Sequence, residues 1–218
     1  ADILADDTDG KQGLALKKNL LQRIKAFPDE TFYSEMLLWY STQMKDFETA
    51  LIQAKALDKR NKEDGKRVFT LARTASSNGD YDVAITAYQY IIDKGSDNYY
   101  FINSKIEILD TKYLKITTST YTAQDIDGLK SDYKSALDEL GKSSSSISIM
   151  LNYAHLLAFY SSSTEDETKL LYEALDLKTA EATSLAACKI ELSDIQLMTV
   201  EIWEATLHQE FAICKNLI

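Results

Sequence analysis

A match of the chain to itself at an offset of 34 residues constrains the fold more than any single motif. Leu37 pairs with Leu71, Asp46 with Asp80, Phe47 with Tyr81, Ala50 with Ala84, Leu51 with Ile85 and Leu57 with Ile91. The second copy contains the stretch NGDYDVAITAYQYIIDKG, 78–95, an Asn-Gly turn followed by Tyr81, Ala84 and Tyr88 at spacings of three and four. Spacing of that kind puts the three side chains on one face of a helix. Two antiparallel helices approach closely only where one presents a small side chain, which Ala72 and Ala84 supply. Tyr81 and Tyr88 then fill the gaps beside the alanine. A large residue at position 84 should overpack the contact, at a cost of about 1–3 kcal/mol.

Composition agrees with a helical chain. Of 218 residues, 45% are hydrophobic, one is proline and seven are glycine. Sheet-based folds of this size use more of both turn formers. The expected class is all-α. The formal net charge is −10, a balance that repels nucleic-acid backbones and anionic membrane surfaces. No apolar run approaches the roughly 20 residues of a membrane span.

Along the chain, ADILADDTDG, 1–10, is acidic and aperiodic and reads as a loosely held terminus. Helices follow at 11–27, 31–44, 47–59, 66–77 and 81–93, with Pro28 and Asp29 stopping the first. The later part reads as looser helix pairs. These are 98–117 with 124–141, 146–160 with 165–177 around the turn SSSTEDE, and 179–199 with 202–217, where Ala205 in IWEATL echoes Ala84.

A 34-residue helix-turn-helix period resembles the tetratricopeptide repeat. LARTASSNGDYDVAITAY, 71–88, carries the likeness best. The copy at 31–64 departs from it: Lys45 stands at the turn glycine, Ala54 at the second aromatic, and the closing proline is absent. The resemblance implies one right-handed α-solenoid over 11–218, an α-α superhelix of antiparallel helix pairs. Its best repeats are 31–64 and 65–98, with degenerate pairs at 98–141, 146–177 and 179–217. Pro28 falls where a preceding repeat would close, so 11–27 reads as the second half of a repeat. The chain then looks like a segment of a longer protein; a native protein with a capping helix is the alternative. The general look of residues 53–95 is similar to large tetratricopeptide proteins of Bacteroidetes-type bacteria. That likeness implies a cell-envelope compartment over the cytoplasm.

No reactive constellation stands out. His155 and His208 are the only histidines, and with Cys188 and Cys214 they lack the short spacing of a zinc site. The two cysteines either bury as free thiols or, if they lie level on antiparallel helices, form a bridge. Phosphate-loop, dinucleotide and nucleophile-elbow motifs are absent. The serine runs at 143–146 and 161–163 read as flexible turns. The acidic clusters DDTD and EDE read as solvated surface. No metal and no cofactor are expected, and the chain is expected not to be an enzyme.

What the resemblance implies about function is a concave groove lined by first helices. Carried over to this chain, the groove positions are Phe32, Glu35, Trp39, Thr42 and Gln43 in one repeat. In the next they are Lys66, Phe69, Arg73, Ser76 and Ser77. By extension come Tyr100, Asn103 and Glu107, then His155 and Phe159. Aromatic rings and arginine are the usual anchors of interfaces, so Trp39, Phe69, Arg73 and Tyr100 lead. Phe69 and Tyr100 read equally as fillers between stacked repeats. Glu35, Trp39 and Arg73 stand where a carboxylate-clamp groove would carry Lys, Asn and Asn, which argues against that clamp. The expected function is a non-catalytic module that holds a protein or peptide segment. A structural spacer in a larger envelope protein and a helical-repeat enzyme or carbohydrate-binding module are the alternatives.

Overall fold

A computed structural model describes residues 11–160, 166–177 and 180–215; side chains at 166, 167 and beyond 198 are not described. The expectations placed on 1–10, on the SSSTEDE turn and on the side chains of Ala205 and His208 lie outside the described residues.

The described residues form an all-α chain of ten α-helices and one 3-10 turn, without a strand. In order they are α1 (Lys11–Ala26), α2 (Thr31–Gln43), α3 (Phe47–Asn61), α4 (Lys66–Ser77), α5 (Tyr81–Ile92) and α6 (Phe101–Thr118). Then follow α7 (Ala123–Leu140), the 3-10 turn Ser144–Ser146, α8 (Ile147–Tyr160), α9 (Asp166–Leu175) and α10 (Ala182–Lys215). They fall into two compact units, one ending at Thr118 and one starting at Ser119.

In the first unit each helix packs on the next, α1 on α2 through to α5 on α6. Contacts also skip one helix, α3 to α5 and α4 to α6. That is the sequential packing of a helical repeat. The 34-residue match survives as hydrogen bonding. Asp46 N–H donates to Ser41 O at 2.8 Å, and Asp80 N–H to Ala75 O at 2.9 Å. Both aspartates then cap the second helix of their repeat: Thr49 N–H donates to Asp46 Oδ1 at 3.2 Å and Val83 N–H to Asp80 Oδ1 at 3.3 Å. A carboxylate in this place satisfies an amide that the helix leaves open. Between first helix and cap, the backbone turns through positive φ at Lys45 (57°) and at Gly79 (83°).

The small residues of both repeats lie in the core. Ala50, Ala54, Ala72, Ala75, Ala84 and Ala87 are buried, as are Leu37, Leu57, Leu71 and Ile91. Tyr88 is buried among them, and Tyr81 is half-buried with its hydroxyl accepting from Thr118 Oγ1 at 3.2 Å. At the other end of this unit Leu20 of α1 packs with Leu37 and Tyr40 of α2.

In the second unit α7 packs on α8, α8 on α9, and α10 on both α8 and α9. Thr122 opens α7 with a capping box to Asp125. Ser143–Ser146, read from sequence as a flexible turn, is hydrogen-bonded: Ser143 N–H donates to Ser146 Oγ at 2.9 Å, and that hydroxyl donates to Gly141 O at 2.7 Å.

One expectation is corrected here, and the bridged alternative for the cysteines is excluded. The last pair, 179–199 with 202–217, is a single 34-residue helix, α10. No Gly or Pro lies near Val200–Ile202 to release the i→i−4 ladder. Cys188 and Cys214 therefore share one helix instead of facing each other. At 1.5 Å per residue, their 26-residue separation is about 39 Å, far beyond disulfide reach. Cys188 is a buried free thiol, and burial with nearby Glu191 pushes its pKa up.

Candidate functional site

A cavity lies in the first unit, between the first helices of the two matching repeats. Leu38 and Thr42 of α2 face Lys66, Arg67, Thr70, Leu71 and Thr74 of α4 across about 820 Å3; Asn61 at the end of α3 and Lys62, Glu63 and Asp64 form one wall. A furrow between neighbouring first helices follows from helix-pair repeats, because the second helices pack behind them.

The wall is a connection of four residues, 62–65, held from behind. Asp58 sits fully buried on α3. Its Oδ1 accepts from Gly65 N–H at 2.8 Å, its Oδ2 accepts from Tyr90 Oη at 2.7 Å, and Lys94 pairs with the same oxygen. The Asp58 backbone carbonyl accepts from Glu63 N–H at 2.9 Å. A buried carboxylate is costly unless donors surround it, and this one has three. Two further bonds reach over from beyond α5: Lys94 Nζ donates to Glu63 O at 2.8 Å and Asn98 Nδ2 to Asp64 O at 2.7 Å. Gly65 turns at φ 93°, and a Cβ there would meet Ile91 Cγ1 at 3.2 Å. The wall is thus shaped before anything binds.

Charge is distributed unevenly along it. Glu63 accepts from Arg67 Nη2 at 2.9 Å and Nε at 3.2 Å, and from Asn61 Nδ2 at 3.1 Å. The bond from Arg67 holds the Glu63 carboxyl below its ordinary pKa against the opposing effect of burial. Asp64 accepts from Lys66 N–H at 3.2 Å. Lys62 and Lys66 are exposed and enter no ion pair among the described residues. The hydroxyls of Thr42, Thr70 and Thr74 donate to their own helices, to Leu38 O, Lys66 O and Thr70 O. Their oxygens stay available as acceptors toward the furrow. Tyr90, behind the wall, has its phenol pKa raised by burial and by the bond to Asp58. Its ring meets Lys55 at 5.1 Å, Lys94 at 5.5 Å and Lys59 at 5.9 Å.

Of the groove residues read from sequence, Thr42 and Lys66 line this cavity. Phe32, Glu35, Trp39 and Gln43 lie exposed along α2 outside its lining. Phe69, Arg73, Ser76 and Tyr100 gather at the seam between α4 and α6. There Phe69 meets Tyr100 at 5.1 Å and Tyr88 at 5.7 Å, and Arg73 Nε lies 3.5 Å from Glu107 Oε1. Ser76 and Thr111 hydroxyls lie 3.2 Å apart. Tyr88 Oη reaches Glu107 at 3.4 Å, and its pKa is raised by burial and by that carboxylate. Ser77 and Asn103 are exposed. In the second unit, His155 Nδ1 meets Glu191 Oε1 at 2.7 Å and its ring lies 4.4 Å from the exposed Phe159.

Sequence reasoning missed Asp58, Tyr90 and Lys94. One signal was present: Ala50, Ala54 and Leu57 mark the buried stripe of α3, and Asp58 interrupts it four residues after Ala54. It missed the 62–65 wall entirely, because that wall depends on where α5 lies.

Among the described residues, no group of three or more His, Cys, Asp or Glu side chains could hold a metal ion, and no helix is long and apolar enough to cross a membrane. No protein-family model matches the chain, and no curated protein matches it.

Proposed function

We propose that the chain is a tetratricopeptide-like interaction module, non-catalytic, that holds an extended segment of a partner protein between α2 and α4. The observation that carries this reading is the 62–65 wall, which Asp58, Lys94 and Asn98 hold in shape beside an open furrow. A preformed surface lowers the ordering cost of capturing a flexible chain. Thr42, Thr70 and Thr74 offer acceptors to a main chain, Leu38 offers an apolar contact, and Lys62 and Lys66 offer free charge. The resemblance to large tetratricopeptide proteins of Bacteroidetes-type bacteria supports reading such a module as part of a cell-envelope assembly. Trp39 and Phe32, 45% and 56% exposed along α2, would extend the contact beyond the furrow.

The test is selection of peptides from a random display library on the folded chain. Binding is then measured to a Thr42→Trp/Thr74→Trp variant, which fills the furrow, and to Ile52→Ser on α3. The selected peptides should lose affinity by at least about tenfold on the filled variant and keep it on Ile52→Ser. Equal binding to all three proteins ends the reading.

A further inference from the structure

The second unit holds a cavity that the interaction reading leaves unused. It encloses about 290 Å3 and is lined by elements of α7, α8 and α9. Leu137, Leu157 and Leu170 give it apolar surface. Tyr153 adds an aromatic wall, stacked on Tyr133 at 5.4 Å with the ring planes 15° apart. Three lysine side chains line it from separate places in the chain: Lys134 from α7, Lys142 from the turn that follows, and Lys169 from α9.

Lys142 pairs with Glu173. Lys134 and Lys169 are exposed and enter no ion pair among the described residues. On a chain of net charge −10, three lysines against two carboxylates at one concavity leave a local positive excess among the described lining residues, and a cleft concentrates that local potential. Asp138 and Glu173 also line the space, so a bare inorganic anion gains two ammonium contacts but meets two carboxylates. A ligand that also buries an apolar body against the three leucines and the tyrosine gains the hydrophobic term as well. The volume corresponds to about ten waters, enough for an anionic head and one ring.

We propose that this cavity binds a small organic anion, a carboxylate or phosphate carried on an apolar or aromatic body, with Lys134 and Lys169 holding the head. The site stands independently of the furrow in the first unit.

The test titrates the intact chain with phenyl phosphate, benzoate, inorganic phosphate and phenol, read by amide chemical shifts and calorimetry. Phenyl phosphate or benzoate should perturb the residues around Lys134, Tyr153 and Lys169. Which of the two binds more tightly identifies the head group. Inorganic phosphate and phenol should each bind more weakly by at least about tenfold. Lys134→Met/Lys169→Met should weaken the preferred probe by a similar factor, while Lys134→Arg/Lys169→Arg retains it. Circular dichroism confirms that each variant folds, and Lys134→Gln alone serves if the double variant does not. Absence of binding by both organic anions, equal binding of phenol, or unchanged affinity in the Met or Gln variant overturns the proposal.

Discussion

The repeats at 31–64 and 65–98 share a backbone frame and differ in what fills it. In both, a first helix is followed two residues on by a positive-φ residue, and the next aspartate caps the second helix and donates its own N–H back to the carbonyl five residues earlier. The first repeat uses Lys45 at the turn and Ala54 on the inner face; the second uses Gly79 and Tyr88. Ala54 and Tyr88 are both fully buried although they differ by an entire aromatic ring. The frame is therefore set by hydrogen bonds at the turn and by the alanines at the crossings, and side-chain volume adjusts around it.

The largest effect should come from the inner face. Tyr88→Ala removes a buried ring that packs on Phe69 and should destabilise the first unit by about 3–5 kcal/mol in urea unfolding. The reverse exchange, Ala54→Tyr, should also destabilise, by about 1–3 kcal/mol. A stabilised Ala54→Tyr variant would mean that the two inner faces are interchangeable.

Next come the crossings. Ala84→Leu and Ala50→Leu each place a branched side chain where the alanine is fully buried. Each should cost about 1–3 kcal/mol by overpacking, with similar values in the two repeats. A tolerated leucine at either site, with unchanged midpoint and cooperativity, would show that the helices there are not in close contact.

The caps should separate the repeats by pH. Asp46→Ala and Asp80→Ala should each cost about 1 kcal/mol. Asp46 differs because Lys17 and Thr49 Oγ1 join it: Lys17 Nζ pairs with the carboxylate and also donates to Thr49 at 2.9 Å. Burial pushes the Asp46 pKa up, but the bonds from Lys17 and Thr49 outweigh it and leave the carboxyl below its usual range. With its folded pKa depressed, Asp46 contributes stability that is fully present above the unfolded value near 3.9 and disappears as pH falls through the folded value. Asp46→Asn should flatten that acidic limb of the stability curve. An unchanged limb would place the acid sensitivity elsewhere.

The smallest effects belong to the turn. Lys45→Gly relieves a left-handed lysine and should stabilise by somewhat less than about 1 kcal/mol. Gly79→Lys should destabilise by about 1 kcal/mol, and purely through the backbone, since a Cβ at Gly79 meets nothing within 4 Å. Effects of the same sign in thermal unfolding would contradict the shared turn geometry.

Sequence alone determined the helical class, most helix limits in the first unit, the 34-residue frame and the buried alanines. All of these rest on interactions within a few residues or between neighbouring helices, and they leave a local trace in spacing, caps and turn residues. The final helix was misjudged because a motif echo at Ala205 was given more weight than the absence of any helix breaker around Val200. Only the tertiary structure decided the furrow. Its wall exists because Lys94 and Asn98, about thirty residues along the chain, reach back to the carbonyls of Glu63 and Asp64, while Tyr90 and Lys94 satisfy Asp58. Such bonds depend on how one helix pair rests on another, a geometry that no window of local sequence encodes.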